Sequence, residues 1–274
     1  MIYHSIKGET VPALGFGTWR LYGREAVNAV RCALDVGYRH IDTAIRYENE
    51  AEVGEAIAAS GIDRSEIFLT TKLRHSDLAR DDVRARTSES LARLGVHYVD
   101  LLLVHWPNEA VPLAETMEAL AEVQSEGRAR HIGVSNFPTR LMREAAEVCG
   151  AEIFSNQVEY HPFLRQDAVL DYVRANDILL TAAVPLARGA IENQPVLQAI
   201  GERHGKTPAQ VTLRWLVQQD RVAAVPKSGR PERIRSNFAI FDFALSDAEM
   251  AAISSLGANR RLVDPDWAPA WDAA

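Results

Sequence analysis

The stretch Val99-Asp100-Leu101-Leu102-Leu103-Val104-His105 decides the fold, because it is a β-like run without the polar–apolar alternation of a strand that has one exposed face. An unbroken apolar strand is typical of a parallel sheet that is covered by helices on one side and by a filled core on the other. The run ends in a polar residue, His105. The segment therefore predicts a buried parallel strand that presents a histidine at its carboxyl end.

Similar runs occur along the whole chain, and a helical pattern follows each one. The predicted strands are residues 14–17, 40–42, 67–72, 99–105, 129–134, 154–159, 179–183 and 222–226. Eight strand–helix units favour an α/β fold of the (β/α)8 TIM-barrel type. A length of 274 residues would also allow two domains at about 150 residues each, but no low-complexity or Pro/Gly-rich linker divides the chain. We therefore expect one domain over residues 1–274.

Two terminal segments lie outside these eight units. Residues 2–6 and 10–11 flank Lys7-Gly8-Glu9 and predict an N-terminal β-hairpin that closes the bottom of the barrel. The tail from residue 259 to 274 carries Trp267 and Trp271, and we expect it to lie over the mouth of the site. For these two tryptophans, core packing and closure of the pocket are equally favoured by the sequence.

Composition limits the partners and the compartment. Thirty basic against 37 acidic residues give a net charge of −7, which disfavours nucleic acid and anionic membranes as partners. Only Cys32 and Cys149 are present, too few for a disulfide framework or a zinc site. No basic-then-apolar leader and no apolar run of roughly 18 residues is found. We expect a cytoplasmic monomer, without a bound metal, that acts on a small molecule.

Four polar residues stand where barrel enzymes carry their chemistry, at or just beyond the carboxyl ends of strands. Asp42, Lys72 and His105 end the second, third and fourth strands, and Tyr47 follows in the loop after Asp42. Each has a structural explanation when taken alone: a turn cap, a solvated strand end or a hydrogen-bonded histidine. Because strand alternation aims the three strand-end side chains inward, we expect them to converge.

Together these side chains describe an acid catalyst. A neighbouring ammonium group favours the phenolate, so Lys72 is expected to lower the pKa of Tyr47 from its ordinary value near 10 and to ease proton donation. Asp42 would keep Lys72 charged and in place. A neutral His105 would donate a hydrogen bond to a carbonyl oxygen and stabilise the negative charge that develops there on reduction.

Motifs spread along almost the whole chain carry a family resemblance. They are LGFGTW (14–19), GYRHIDTA (37–44) leading to Tyr47, Asn49 and Glu50, TKL (71–73), DLLLVHWP (100–107), IGVSNF (132–137), NQVEYHP (156–162) and VPKS (225–228). In this order they resemble the aldo-keto reductase family, particularly the bacterial branch that includes 2,5-diketo-gluconate reductases. The resemblance implies carbonyl reduction with NADPH, a catalytic tetrad at Asp42, Tyr47, Lys72 and His105, and proton donation by Tyr47.

The nucleotide is expected at the last strand and not at a Rossmann motif. Gly15-Phe16-Gly17 is followed by Arg20 where the third glycine of that motif would stand. After the eighth strand, Lys227 and Arg233 flank Pro231, which suits the first turn of a helix whose free N–H groups face an anion. A basic run alone is more often a solvated helix face. With the family motifs, it predicts a site for a 2′-phosphate and hence NADPH over NADH.

The resemblance also implies the other contacts. Cofactor-binding positions are Gly17, Thr18, Ser135, Asn136, Gln157, Pro185, Leu186, Arg188, Lys227, Ser228, Arg233 and Asn237; substrate-binding positions are Trp19, His105 and Trp106. The chain departs from the family at Ala183, where an aromatic residue usually stacks on the nicotinamide, and at Ser236, near the adenine.

Two other functions use the same residues. Lys72 could form a Schiff base in an aldolase if its pKa were depressed, although Asp42 should keep it protonated. A non-catalytic NADPH sensor could use the cofactor pocket to regulate a partner, but it would not need Tyr47 and Lys72 together.

Overall fold

The computed structural model describes residues 1–272 and begins with the predicted antiparallel hairpin, formed by β1 (Tyr3–Ile6) and β2 (Glu9–Pro12). Lys7 and Gly8 make the turn with φ values of 48° and 83°, a conformation that glycine adopts without steric cost. Ile6 and Val11 pack against Phe68, Leu101 and other side chains from the beginnings of the barrel strands. The hairpin therefore fills the N-terminal end of the barrel, as predicted.

Eight parallel strands follow one another in the sheet in the order of the chain. They are β3 (Phe16–Gly17), β4 (His40–Asp42), β5 (Phe68–Leu73), β6 (Val99–Val104), β7 (Ala129–Ser135), β8 (Ile153–Glu159), β9 (Leu179–Ala183) and β10 (Val222–Ala224). A parallel bridge between Leu14 and Ala224 joins the two ends of the sheet. This confirms the (β/α)8 barrel, with strand ends mostly within two residues of the predicted ones.

Helices cover the outside of the sheet. They are α1 (Gly23–Val36), α2 (Glu50–Ala58), α3 (Arg80–Leu94), α4 (Leu113–Ser125), α5 (Thr139–Arg143), α6 (Asp167–Ala175), α7 (Pro195–His204), α8 (Pro208–Val217), α9 (Pro231–Phe238) and α10 (Asp247–Ser254). In α3, Asp81 and Asp82 occupy the first turn, and Gly95 ends the helix in the left-handed region. Val83, Leu91 and Leu94 form its buried stripe.

The carboxyl ends of the strands meet at one end of the barrel, and residues 259–272 cross that end. Leu262 and Trp267 of this tail line the cavity there, which confirms that the tail lies over the mouth. No helix within residues 1–272 is long and apolar enough to cross a membrane. The same residues contain no cluster of His, Cys, Asp or Glu side chains arranged to hold a metal ion.

Candidate active site

A buried ion pair joins the ends of two neighbouring strands. Thr70 on β5 pairs with Asp42 on β4, and Lys72 lies two residues further along the same face. Lys72 Nζ lies 2.7 Å from Asp42 Oδ1 and donates to the Thr43 carbonyl oxygen at 2.8 Å. The two side chains are 0% and 3% exposed. Because a buried charge is costly without partners, these contacts are what keep Lys72 protonated inside the barrel.

Tyr47 reaches the same ammonium group from the loop after β4. It ends a short 3-10 turn over Ile45–Tyr47, and its hydroxyl lies 3.5 Å from Lys72 Nζ. The fully buried Asn49 fixes this loop by donating to two carbonyl groups of the β3–α1 loop and accepting from the Thr43 hydroxyl. The hydrogen bonds of Asn49 thus help to hold the Tyr47 phenol beside Lys72.

His105 follows β6 directly and faces Tyr47. The two ring centroids are 5.6 Å apart, and the ring planes are 78° from parallel. His105 Nδ1 is buried and has no hydrogen-bond partner within residues 1–272, which is uncommon for a buried polar atom. The structure therefore brings together all four residues that the sequence singled out, and leaves unused hydrogen-bonding capacity on the histidine.

Burial dominates the pKa values of Tyr47 and His105. The expectation that Lys72 lowers the pKa of Tyr47 below its ordinary value is therefore wrong. Burial raises the pKa of Tyr47 above its ordinary value, and the opposing charge of Lys72 does not offset it. Burial acts to lower the pKa of Lys72, but the carboxylate of Asp42 opposes it, and the pKa lies above its ordinary value. Burial, followed by the charges of Lys72 and Arg46, lowers the pKa of His105 well below its ordinary value. The resting site thus holds a neutral phenol, an ammonium ion and a neutral imidazole.

Tyr47 and His105 line a cavity of about 370 Å³. Trp19, 42% exposed, and the buried Trp106 both line it, and their contact with substrate stays a prediction. Trp267 lines the same cavity and stacks on His75 at 4.4 Å. Trp271 packs against Trp106, at 5.9 Å between ring centroids, outside the lining. Closure of the pocket therefore applies to Trp267, and packing to Trp271.

A chain of hydrogen bonds links the ends of β7 and β8 to the ion pair. Ser135 donates to the Gln157 carbonyl oxygen at 2.8 Å, and Gln157 Nε2 donates to Asp42 Oδ2 at 2.7 Å. Asn136, at φ 61°, donates to the His105 carbonyl oxygen at 2.9 Å. Ser135, Asn136 and Gln157 also line the cavity. Three predicted cofactor-binding positions therefore lie beside the acid–base group, which consists of Asp42, Tyr47, Lys72 and His105.

The loop after β9 has an unusual backbone. Val184, Ala187 and Arg188 have φ values of 51°, 45° and 53°, a region that is strained for a β-branched residue such as Val184. Val184 and Arg188 line the cavity together with Ala183. Pro185 is buried and Leu186 is half-buried within the same loop. The strained loop thus brings Arg188, one of the predicted cofactor-binding positions, to the cavity.

The predicted phosphate site lies after β10, at the start of α9. Pro231 occupies the first turn, and no side chain caps the helix N-terminus. Lys227, Arg230 and Arg233 are exposed and form no ion pair within residues 1–272. An uncapped helix N-terminus with unpaired cations is suited to an anion.

Four other predicted cofactor-binding positions are buried in the structure. Ser228 is buried, and its hydroxyl accepts from Arg230 N at 3.1 Å; Asn237 is buried on α9. A Cβ atom at Gly17 would lie 2.7 Å from the Val225 carbonyl oxygen. Thr18 is fully buried and donates to the Asp42 carbonyl oxygen at 3.1 Å. In the structure, Gly17 and Thr18 therefore support the site, and their cofactor contacts stay predictions.

Several residues of the cavity were not assigned a role from the sequence. They are Arg46, Glu159, Val184, Leu262, Val263, Asp264 and Pro265. Arg46 could have been found from its place next to Tyr47. Glu159 lies 103 residues from its contact Leu262, and no local pattern predicts such a pair.

Comparison with known proteins agrees with this geometry. A family model described as the aldo/keto reductase family matches residues 13–258. An aldo-keto reductase from Mycolicibacterium smegmatis is 44% identical over 93% of each chain, and methylglyoxal reductase DkgB from Yersinia pestis is 43% identical over 96% of this chain and all of its own. A crystal structure that carries the provisional name 2,5-diketo-D-gluconic acid reductase B matches with a TM-score of 0.97 and 50% identity, covering 100% of this chain and 98% of the other.

The chain belongs to the aldo/keto reductase family and is an oxidoreductase. Its similarity to the diketogluconate reductase branch, expected from the sequence motifs, is confirmed. Members of this family act on small carbonyl compounds and generally use NAD(P)H.

Proposed function

We propose that this protein is an NADPH-dependent reductase of small aldehydes and ketones, including keto-sugars, with Tyr47 as the proton donor. The observation that carries the proposal is the continuous arrangement of Asp42, Lys72 and Tyr47 opposite His105, with Tyr47 and His105 lining one cavity. A carbonyl oxygen placed between the Tyr47 hydroxyl and the His105 ring would meet two hydrogen-bond donors.

The electrostatics of the site support this role. Because burial raises the pKa of Tyr47, the phenol is protonated at neutral pH and available as an acid. Lys72 stands beside it as an ammonium ion, so it favours the phenolate that remains after the proton has left. The lowered pKa of His105 keeps the imidazole neutral, and a neutral ring can donate a hydrogen bond without giving up a proton.

The residues around the cavity suit a phosphorylated dinucleotide. A bound nicotinamide cofactor would supply the hydride. Ser135, Asn136 and Gln157 would hold its carboxamide, and Arg188 would meet its pyrophosphate. At the far end, Lys227 and Arg233 beside the uncapped N-terminus of α9 favour a 2′-phosphate over a bare hydroxyl, and therefore NADPH over NADH.

The alternative as a Schiff-base aldolase is disfavoured by the ion pair. A nucleophilic lysine needs a depressed pKa, whereas the pKa of Lys72 is raised, with the Asp42 carboxylate opposing the effect of burial. The test is borohydride trapping with a carbonyl substrate, in which we expect no adduct at Lys72.

The names of the relatives suggest where to look for substrates. A methylglyoxal reductase and a diketogluconic acid reductase are among the similar proteins, so ketoaldehydes and keto-sugars are the first classes to screen. The free thiols of Cys32 and Cys149 are consistent with a reducing cytoplasm. We take residues 1–274 to act as a single domain and as a monomer.

The test is an NADPH-oxidation screen over aldehydes, diketones and keto-sugars, run beside Tyr47→Phe. We expect turnover by the wild type, and loss of turnover with unchanged NADPH affinity in the variant. Turnover retained by Tyr47→Phe would remove Tyr47 from the mechanism. NADPH binding by the wild type without oxidation of any substrate would favour the sensor instead.

A further inference from the structure

We infer that Glu159 is a positioning residue, which holds the C-terminal tail against the barrel and thereby sets one wall of the substrate pocket. The inference rests on the proposed function only in that the pocket is taken to bind a carbonyl substrate. It concerns a buried carboxylate that the acid–base group does not use.

Glu159 ends β8 and is 2% exposed. Its Oε1 accepts from Leu262 N at 2.7 Å and lies 2.8 Å from His161 Nε2, and its Oε2 accepts from Val263 N at 2.7 Å. Hydrogen bonds to an ionised acceptor are stronger than neutral ones. A single carboxylate therefore binds two successive backbone N–H groups of the tail.

The histidine completes this arrangement. His161 is fully buried, and its Nδ1 accepts a hydrogen bond from Phe163 N at 3.3 Å. Since Nδ1 is the acceptor, the ring proton lies on Nε2 and points at Glu159. The carboxylate thus meets three donors, which supply the partners that a buried charge needs.

The two anchored residues begin the part of the tail that forms the cavity wall. Leu262, Val263 and Trp267 all line the cavity, and so does Glu159. On β8, Glu159 lies two residues beyond Gln157 and so shares its face, which points toward Asp42. The same face of β8 therefore holds the acid–base group through Gln157 and the tail wall through Glu159.

Further along, the tail makes other hydrogen bonds. Trp271 Nε1 donates to Asp264 at 2.8 Å within the tail, and Asp272 accepts from Thr139 N at 2.9 Å at the start of α5. The exposed Trp267 lies in the tail between the residues bound by Glu159 and Trp271. Loss of the Glu159 anchor would leave the Leu262–Val263 end of this wall without its fixed partners on the barrel.

The test is Glu159→Gln in the full-length enzyme. The amide nitrogen replaces one acceptor, so at least one N–H of the tail or of His161 faces another donor. With a six-carbon keto-sugar, we expect KM to rise about 10-fold or more, because the wall that contacts a larger substrate is displaced. With a three-carbon ketoaldehyde, kcat should change by less than about 3-fold, and NADPH affinity should be unchanged.

A second readout does not depend on activity. Arg260 and Arg261 precede the anchored residues, and Arg261 packs over the Trp271 ring at 3.7 Å. Release of the tail should accelerate tryptic cleavage at these arginines about 10-fold under native conditions, because cleavage follows the population of the open form. The fragment pattern is read by mass spectrometry.

Glu50→Gln provides a matched control. Glu50 is also a 2% exposed carboxylate, and it is held by Thr71, Ser90 and Arg93 away from the tail. This variant should lose thermal stability, yet keep the wild-type rate of cleavage at Arg260 and Arg261 and the wild-type ratio of the two KM values. A purely structural role for Glu159 would make the two variants behave alike.

Val263→Pro removes one donor from the tail side, so its effect and that of Glu159→Gln should not add in the double variant. Wild-type cleavage rates and KM values in Glu159→Gln would overturn the inference. If the wild type reduced no carbonyl compound, the proposed function would fail, and the cleavage assay would still decide whether Glu159 anchors the tail.

Discussion

Gln157 and Asp42 are joined by a 2.7 Å hydrogen bond from the amide Nε2 to Oδ2, the carboxylate oxygen that Lys72 does not use. Both oxygens of Asp42 are therefore occupied, and its orientation is fixed from β5 on one side and β8 on the other. Gln157, which the family resemblance predicts to contact the cofactor, thus also holds Asp42 in place. The two roles are compatible, because the carbonyl oxygen of the Gln157 amide is left for a ligand.

Removing the charge of Asp42 should destabilise the fold strongly. Asp42→Asn keeps the shape of the side chain but leaves Lys72 buried beside a neutral group, and breaking a buried pair in this way costs about 3–5 kcal/mol. We expect a decrease of that size in the free energy of unfolding, measured with urea at pH 7. The exposed pair of Arg24 and Glu55, 73% and 52% exposed, is the control. Glu55→Gln should cost less than about 1 kcal/mol, and equal losses would contradict the assignment.

His105 should make stability depend on pH in a defined direction. Burial, then the charge of Lys72, lowers its pKa well below the ordinary value, so near pH 6 the unfolded chain binds a proton that the folded protein does not. The contribution of His105 is therefore full above about pH 6.5 and is lost as the pH falls, by up to about 1.4 kcal/mol per pH unit. Urea unfolding at pH 7.5 and 5.5 should give a smaller difference for His105→Gln than for the wild type. A larger or equal difference would mean that the folded protein protonates this ring.

The barrel and its acid–base residues could be predicted because their signals are local. The unbroken apolar run that ends at His105 identifies a buried strand, and strand alternation aims Asp42 and Lys72 inward. These regularities depend only on neighbours along the chain. The structure accordingly confirms β4 and β9 residue for residue.

What could not be predicted depends on burial or on distant contacts. The sequence indicates that Lys72 lies near Tyr47, but not that burial outweighs its charge and raises the pKa of the phenol. Likewise, Glu159 contacts Leu262 across 103 residues. The separate roles of Trp267 and Trp271 follow from the path of the tail, which no periodic pattern determines.

Restoring an aromatic side chain at position 183 should tighten cofactor binding. Ala183 lines the cavity beside Val184 and Arg188, and the family resemblance implies a stacking residue there. A new stacking contact is worth about 1 kcal/mol, so Ala183→Tyr should lower the Kd for NADPH several-fold in a fluorescence titration. Ala183→Leu adds bulk without a ring and should not reproduce this gain. An unchanged Kd in Ala183→Tyr, or the same gain in both variants, would refute the stacking explanation.

The choice between NADPH and NADH should depend on one arginine of α9 and not on its neighbour. Arg233 is exposed near the uncapped start of the helix, and a charge-assisted bond to a phosphate is worth about 1.5–3 kcal/mol. Arg233→Ala should therefore raise the KM for NADPH by about 10-fold or more and leave the KM for NADH nearly unchanged. Arg235, two residues on, turns toward Cys32, with 3.5 Å between the guanidinium and Sγ, so Arg235→Ala is the matched control and should alter neither value. Both variants remove one positive charge from the same helix, so an equal rise in the KM for NADPH in both would point to a diffuse electrostatic attraction. An equal rise in the KM for NADPH and for NADH in Arg233→Ala would place its contact away from the 2′-phosphate.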